Sequence, residues 1–121
     1  MLSAIALAAT LQATPPANPV TSDATSIAAG KKLYMSNCAS CHGDTAQGDG
    51  RAGKQLNPPP PSLVDATWLH GSSEGEIFLV IRDGVKDTGM KSFGSRMTTH
   101  QIWDVVNYLR SIGPDSASTP R

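Results

Sequence analysis

Two cysteines, Cys38 and Cys41, lie three positions apart and are followed directly by a histidine in the stretch Cys38-Ala39-Ser40-Cys41-His42. They are the only two cysteines in 121 residues, so a framework of several disulfides is excluded. A single bridge across so short a loop would stabilise the fold little and would leave His42 unexplained. This cluster constrains the chain more than any other feature of the sequence.

The Cys-x-x-Cys-His pattern is typical of covalent haem attachment. Thiols about one helical turn apart can each form a thioether with one of the two vinyl groups of a porphyrin, which leaves the next residue beneath the iron. The sequence therefore predicts one covalently attached haem c, bound through Cys38 and Cys41 with His42 as an axial iron ligand. A zinc site is disfavoured because His42, His70 and His100 are scattered and supply no second ligand pair. A thioredoxin-like pair would require a βαβ context, whereas a helix is expected before Cys38.

The length and charge of the chain narrow the classes of protein it can belong to. A chain of 121 residues is long enough for one domain and too short for two ordinary ones. Ten acidic and ten basic residues balance, which gives no reason to expect a nucleic acid as partner. With only two Trp, two Tyr and two Phe, the aromatic content is thin for a core, and a buried cofactor would supply the missing apolar volume.

Hydrophobic periodicity predicts three main helices and no strand. The first begins near Ser26, runs into the cysteine motif and shows one face formed by Ile27, Gly30 and Tyr34. The second begins after a capping residue, Ser73, and ends at Gly84.

The last helix begins at a capping box formed by Thr98 and Gln101 and ends at Gly113-Pro114; its apolar positions are Ile102, Val105, Val106, Leu109 and Ile112. About thirty residues rich in Gly, Pro, Asn and Asp separate the first two helices, and such a loop needs something inside to organise it. The expected fold is all-α, with long loops wrapped around one haem.

Five side chains are candidates for the second axial ligand: Met35, Met90, Met97, His70 and His100. Met35 is too close to the attachment motif to cross the ring, and Met97 is placed as the hydrophobic staple of the last helix. Met90 lies in a glycine-flanked loop and carries a soft thioether that suits haem iron, so it is the predicted ligand. His70 is the runner-up, whereas His100 is expected to be solvated. The alternative for Met90 is an ordinary core methionine.

Residues 26–113 resemble a class I cytochrome c domain, on matches that extend well beyond the attachment motif. The matching residues are Gly30, Tyr34, Cys38, Cys41, His42, Gly48-Asp49-Gly50, Leu56-Asn57-Pro58, Pro61-Ser62-Leu63, Gly89-Met90, Phe93, Trp103 and Tyr108-Leu109. The resemblance implies that Gly30 packs closely against the last helix near Tyr34 and Tyr108. It also implies that the carbonyl of Pro61 accepts a hydrogen bond from Nδ1 of His42, which would orient the imidazole.

Ligation by His and Met leaves no open position on the iron, so single-electron transfer between redox proteins is the expected function. Positive side chains slightly outnumber negative ones around the Met90 loop: Arg82, Lys86, Lys91 and Arg96 against Asp83 and Asp87. This excess would suit a weakly acidic partner, but a merely solvated surface is the favoured interpretation. The alternative is a haem peroxidase or gas sensor with an open sixth position, its distal polar groups coming from His70 or Arg82. A relay domain or subunit of a larger oxidoreductase would change the partner and not the chemistry.

The beginning of the chain points to export. Residues 1–13 are mainly apolar and end in Leu11-Gln12-Ala13, close to a small-residue cleavage site, like a signal peptide or its remnant, although no basic residue precedes Lys31. The alternative is a disordered, Ala-rich end. Residues 14–25 are expected to be a linker, 26–113 the haem domain and 114–121 a flexible tail. The apolar run is shorter than a membrane-spanning helix, so we expect a periplasmic or otherwise extracytoplasmic protein, monomeric or loosely associated. Trp68 is taken as a packing residue.

Overall fold

The computed structural model describes residues 14–65 and 71–113. They form four α-helices and one short 3₁₀ turn: α1 (Ala24–Asn37), α2 (Ala39–His42), α3 (Glu74–Asp83), α4 (Thr99–Ile112) and the 3₁₀ turn Gly53–Gln55. Neither described range contains a strand, and the expected all-α class is confirmed. The three main helices of the prediction are α1, α3 and α4. Trp68 and His70 lie outside the described residues, as do the expected leader and tail.

Both later helices begin where the sequence predicts, at capping boxes. The amide of Glu76 donates to Oγ of Ser73 over 3.2 Å, and the amide of Gln101 donates to Oγ1 of Thr98 over 3.1 Å. In return, Oε1 of Glu76 accepts the amide of Ser73 over 3.3 Å, and Oε1 of Gln101 accepts the amide of Thr98 over 2.9 Å. These reciprocal bonds satisfy amides that a helix start otherwise leaves without partners.

The first helix packs against the last at a glycine. A Cβ on Gly30 would overlap the backbone carbonyl oxygen of Asp104 and lie 2.9 Å from Cβ of Tyr108. The Tyr34 and Tyr108 rings pack beside this crossing, with centroids 5.4 Å apart and planes tilted by 51°. The absence of a side chain at Gly30 therefore allows the two helices to approach this closely.

The apolar core lies between α1, α3 and α4. The ring of Phe78 in α3 stacks on Trp103 in α4, with centroids 4.2 Å apart, and joins the two helices. Met97, expected to pack as the staple of α4, is buried in the same core as Ile102. The core thus holds together α3 and α4, the helices that precede and follow the Met90 loop.

The segment before α1 lies against the helices, although the sequence analysis expects a linker there. The side-chain Nδ2 of Asn18 donates to Oε1 of Glu74 in α3 over 2.9 Å and to Oδ1 of Asn107 in α4 over 2.8 Å. The completely buried Asn107 in turn donates to Oγ of Ser26 over 2.9 Å. The helix also begins at Ala24, two residues earlier than expected, because Asp23 accepts the amide of Ser26 as its cap.

None of the helices within residues 14–65 and 71–113 has the length and apolar character needed to cross a membrane.

Candidate haem attachment site

The predicted attachment residues lie on one short helix at the end of α1. Cys38 is both the C-terminal cap of α1 and the N-terminal cap of α2. Cys41 and His42 are the last two residues of α2. Both cysteines belong to the described part of the chain, carry free thiols and are partly buried. Burial, together with the neighbouring Cys41 thiol, raises the pKa of Cys38 to about 11.

The carbonyls of α2 are capped by the chain that follows it, residues 43–52, which we call the capping loop. The amide of Gly43 donates to Ala39 O at 2.8 Å, and three later amides of the loop turn back onto the helix: Ala52 to Ser40 O at 2.9 Å, Gly50 to Cys41 O at 3.1 Å and Gly48 to His42 O at 2.8 Å. A helix end normally leaves such carbonyls to water. Here they fix the motif against its own loop.

Glycines allow the loop to come this close. A Cβ on Gly50 would overlap the carbonyls of Ser40 and Cys41, and one on Gly53 would overlap that of Cys41. Gly43, with φ of 90°, and Gly48, with φ of 81°, occupy backbone conformations that favour glycine. Gly53 was not among the residues predicted from the sequence, where its spacing after Cys41 is the only signal.

A side chain from α1 caps the same helix end. The hydroxyl of Tyr34 donates to the carbonyl of Gly43, the residue after His42, over 2.6 Å. The Tyr34 side chain is completely buried, and this burial raises the pKa of Tyr34, so the hydroxyl keeps its proton and acts as a donor. The sequence analysis expected Tyr34 only as a packing residue beside Tyr108. The signal available was its position four residues before Cys38, on the same face of α1.

His42 carries a buried polar atom that makes no bond. Its Nδ1 is shielded from solvent and has no hydrogen-bond partner among the residues that the structure describes, so the bond to Pro61 that the resemblance implies is not formed here. Burial lowers the pKa of His42, which favours the neutral imidazole needed for metal ligation. Pro61 does lie nearby, since a Cβ on Gly48 would be 3.0 Å from the carbonyl oxygen of Pro61.

The Met90 loop connects α3 to α4 and is joined to the attachment motif through Leu56. A Cβ on Gly89 would lie 2.7 Å from a methyl group of Leu56, whose amide donates to Gly53 O over 3.0 Å. Gly53 itself packs on Cys41. Met90 is partly buried against the core, and its carbonyl accepts the amide of Val85 over 3.1 Å.

The other candidate ligands are placed elsewhere. Met35 is 42% exposed on α1, and Met97 is buried in the core. His100 is exposed at the start of α4, 3.5 Å from Oδ1 of Asp104. Arg82, the distal group of the enzyme alternative, is exposed and paired with Asp83 at 2.8 Å. Among the candidates that the structure describes, Met90 directly follows Gly89, the residue that packs on Leu56. His70 lies outside the described residues.

The residues present fit a covalently attached haem. Two free thiols on one helical turn and a partly buried imidazole with a free Nδ1 are donors that such a group requires. No group of three His, Cys, Asp or Glu side chains in the two described ranges could hold a metal ion, so no zinc site is found there. A helical fold with this motif defines a c-type cytochrome domain.

Comparisons with known proteins support this class. A family model described as cytochrome c oxidase, cbb3-type, subunit III matches residues 25–109. Subunit CcoP of the cbb3-type cytochrome c oxidase of Azospirillum sp. (strain B510) is 34% identical over 96 residues, covering 79% of this chain and 32% of the relative. A chain of the Kuenenia stuttgartiensis reducing HAO-like protein complex superposes with a TM-score of 0.73 at 25% identity, covering 78% of this chain and 47% of that one. Cytochrome cL of Methylophaga aminisulfidivorans gives 0.62 at 26% identity, covering 75% and 55%.

The chain belongs to the family of the cbb3-type cytochrome c oxidase subunit III. It is a monohaem c-type cytochrome domain of the class I fold, it binds one covalently attached haem c, and it is an electron-transfer domain. The chain spans about a third of the length of the curated relatives it matches.

Proposed function

We propose that this protein transfers single electrons between extracytoplasmic redox partners through a haem iron bound by His42 and Met90. When bound, the haem supplies an iron that alternates between the ferric and ferrous states. In this proposal the thiols of Cys38 and Cys41 hold the porphyrin by thioether bonds. His42 would ligate the iron through Nε2, and Met90 would ligate it through its thioether.

The observation that carries this proposal is the link between the two ligand-bearing segments. Gly89 packs on Leu56, Leu56 follows the 3₁₀ turn at Gly53, and Gly53 packs on Cys41. These contacts connect the loop that carries Met90 to the segment that packs on Cys41. Met35, in contrast, is exposed on α1, and Met97 is buried in the core. A closed iron leaves electron exchange as its chemistry.

The proposed role of Pro61 is to orient the imidazole. Its backbone lies against Gly48, whose amide binds the carbonyl of His42, and Nδ1 of His42 is the free donor on that residue. The proline segment is anchored nearby, since the amide of Leu63 donates to Ala46 O over 2.7 Å. Such a bond raises the basicity of the ligating nitrogen.

The partners and the location follow from the family and from the surface. The CcoP relative is a subunit of a cbb3-type cytochrome c oxidase, so we propose that this chain works outside the cytoplasm as a free carrier or as the relay subunit of a larger oxidoreductase. Lys86, Lys91 and Arg96 are exposed near the Met90 loop and would face an acidic partner, whereas Arg82 is already paired with Asp83.

The test is Met90→Ala in the haem-loaded protein, with Met35→Ala as the matched control. We expect the wild type and the control to show the weak sulfur-to-iron band of the oxidised state, and their reduced forms to ignore carbon monoxide. Met90→Ala should lose the band and bind carbon monoxide while the haem stays covalently attached, because only the sixth ligand is removed. The reduction potential of this variant should also fall.

If the wild type binds carbon monoxide readily and lacks the band, the iron is open. The enzyme or sensor alternative then replaces the electron-carrier proposal.

A further inference from the structure

The C-terminal end of α2 is held mainly by backbone groups of the capping loop. Ser40, Cys41 and His42 each give their carbonyl to a loop amide, and Gly43 gives its carbonyl to the amide of Ala46 over 3.1 Å. Within residues 14–65 and 71–113, one side chain joins this set: the hydroxyl of Tyr34, which donates to Gly43 O over 2.6 Å.

This hydroxyl is anchored from outside the site. Tyr34 belongs to α1, its side chain is completely buried, and its ring packs on Tyr108 of α4 at the Gly30 crossing. The hydrogen bond therefore ties the residue after His42 to the most closely packed helix crossing of the described fold. A rigid donor of this kind restricts the backbone that it binds.

Restraints on the backbone of His42 matter because no hydrogen bond restrains the imidazole at Nδ1: this atom has no partner among the described residues. The backbone on either side of the imidazole is what is held: Gly48 binds the carbonyl of His42, and Tyr34 binds the carbonyl of Gly43.

We propose that Tyr34 is a positioning residue for the axial histidine: its hydroxyl fixes the end of α2 and thereby sets the orientation of the His42 imidazole on the haem. This inference rests on the proposed function, since it takes His42 as an iron ligand. It adds a contribution from α1 to the geometry of the site.

The test is Tyr34→Phe, with Tyr108→Phe as the matched control. Both variants remove one hydroxyl from the same buried ring pair and keep the ring packing, but only the first removes the bond to Gly43. The measurement is the NMR spectrum of the oxidised haem-loaded proteins, in which the spread of the haem methyl shifts reports the orientation of the axial ligands. Thermal unfolding is measured alongside.

We expect Tyr34→Phe to retain covalent haem and to change the pattern of haem methyl shifts, whereas Tyr108→Phe keeps the wild-type pattern even if its melting temperature falls. Identical shifts in wild type and Tyr34→Phe would refute the positioning role. A change of equal size in both variants would also refute it, because general loosening of the core would then account for the effect. A wild type in which His42 does not ligate the iron would instead contradict the proposed function.

Discussion

Gly30 shows how a single residue sets the distance between two helices. Its neighbour across the crossing is the backbone of Asp104, which cannot rotate away as a flexible side chain could. The resemblance to class I cytochromes c implies this close approach, and the structure shows which atoms make it.

We predict that Gly30→Ala destabilises the fold by about 1–3 kcal/mol, near the upper end because the added methyl group meets backbone atoms. Chemical denaturation of the haem-loaded protein measures the loss. Gly113→Ala is the control, since a Cβ there lies 3.5 Å from its nearest neighbour, Leu109 O, and the stability should hardly change. An unchanged denaturation midpoint for Gly30→Ala would mean that the helices separate at little cost.

Some residues were predictable because their signals are local. The spacing of Cys38, Cys41 and His42 carries their chemistry within five positions, and no fold has to be known to recognise it. The hydroxyl of Tyr34 was not predictable in this way. Its acceptor, Gly43, lies nine positions away and is brought to it only because that glycine turns the chain at a φ of 90°.

At the scale of elements, structure was also predictable where its signal is local and not where it depends on distant residues. The capping boxes at Ser73 and Thr98 are formed within four residues and were predicted correctly. The course of the segment before α1 was not predicted, because the partners of Asn18 lie 56 and 89 positions away along the chain. Pro- and Thr-rich composition indicates a linker unless such distant partners are known.

We predict that Asn18→Ala destabilises the protein by about 1–2 kcal/mol, because it leaves Oδ1 of the buried Asn107 without one of its donors. The amide of Val20, which now donates to Oδ1 of Asn18 over 2.8 Å, should exchange with solvent faster. Hydrogen exchange followed by mass spectrometry measures this effect.

Asn37→Ala is the control, since that exposed amide bonds only to Leu33 O in its own helix. Equal exchange at Val20 in Asn18→Ala and wild type would show that the segment is held by its prolines and not by Asn18.

At the scale of the whole molecule, the core is built for two contributions. The helices provide one through Phe78, Trp103 and the tyrosine pair, and the apolar side chains that pack against this core but are only partly buried include Cys38, Leu63 and Met90. The sequence, with six aromatic residues, indicated that the polypeptide supplies little apolar volume to its core, but not which part of the core lacks it.

We predict that the double variant Cys38→Ser, Cys41→Ser, prepared without haem, keeps much of its helical circular dichroism but loses the near-ultraviolet signal of fixed aromatic packing. It should bind a hydrophobic dye and show no cooperative thermal transition, because the bound group stabilises only the native state. The haem-loaded wild type is the reference. A sharp transition at the wild-type temperature would show that the polypeptide core is sufficient alone.

The capping loop has a consequence for how the attachment unit is organised along the chain. The backbone donors that satisfy α2, at Gly48, Gly50 and Ala52, all follow it within ten residues. Among the described residues, one side-chain donor joins them, Tyr34, which precedes Cys38 by four residues. The attachment motif and the residues that cap α2 therefore form one contiguous segment, residues 34–52. Such a stretch could be grafted onto the end of an unrelated helix, provided that the recipient offers a buried tyrosine one turn before the first cysteine and room for three glycines behind the motif.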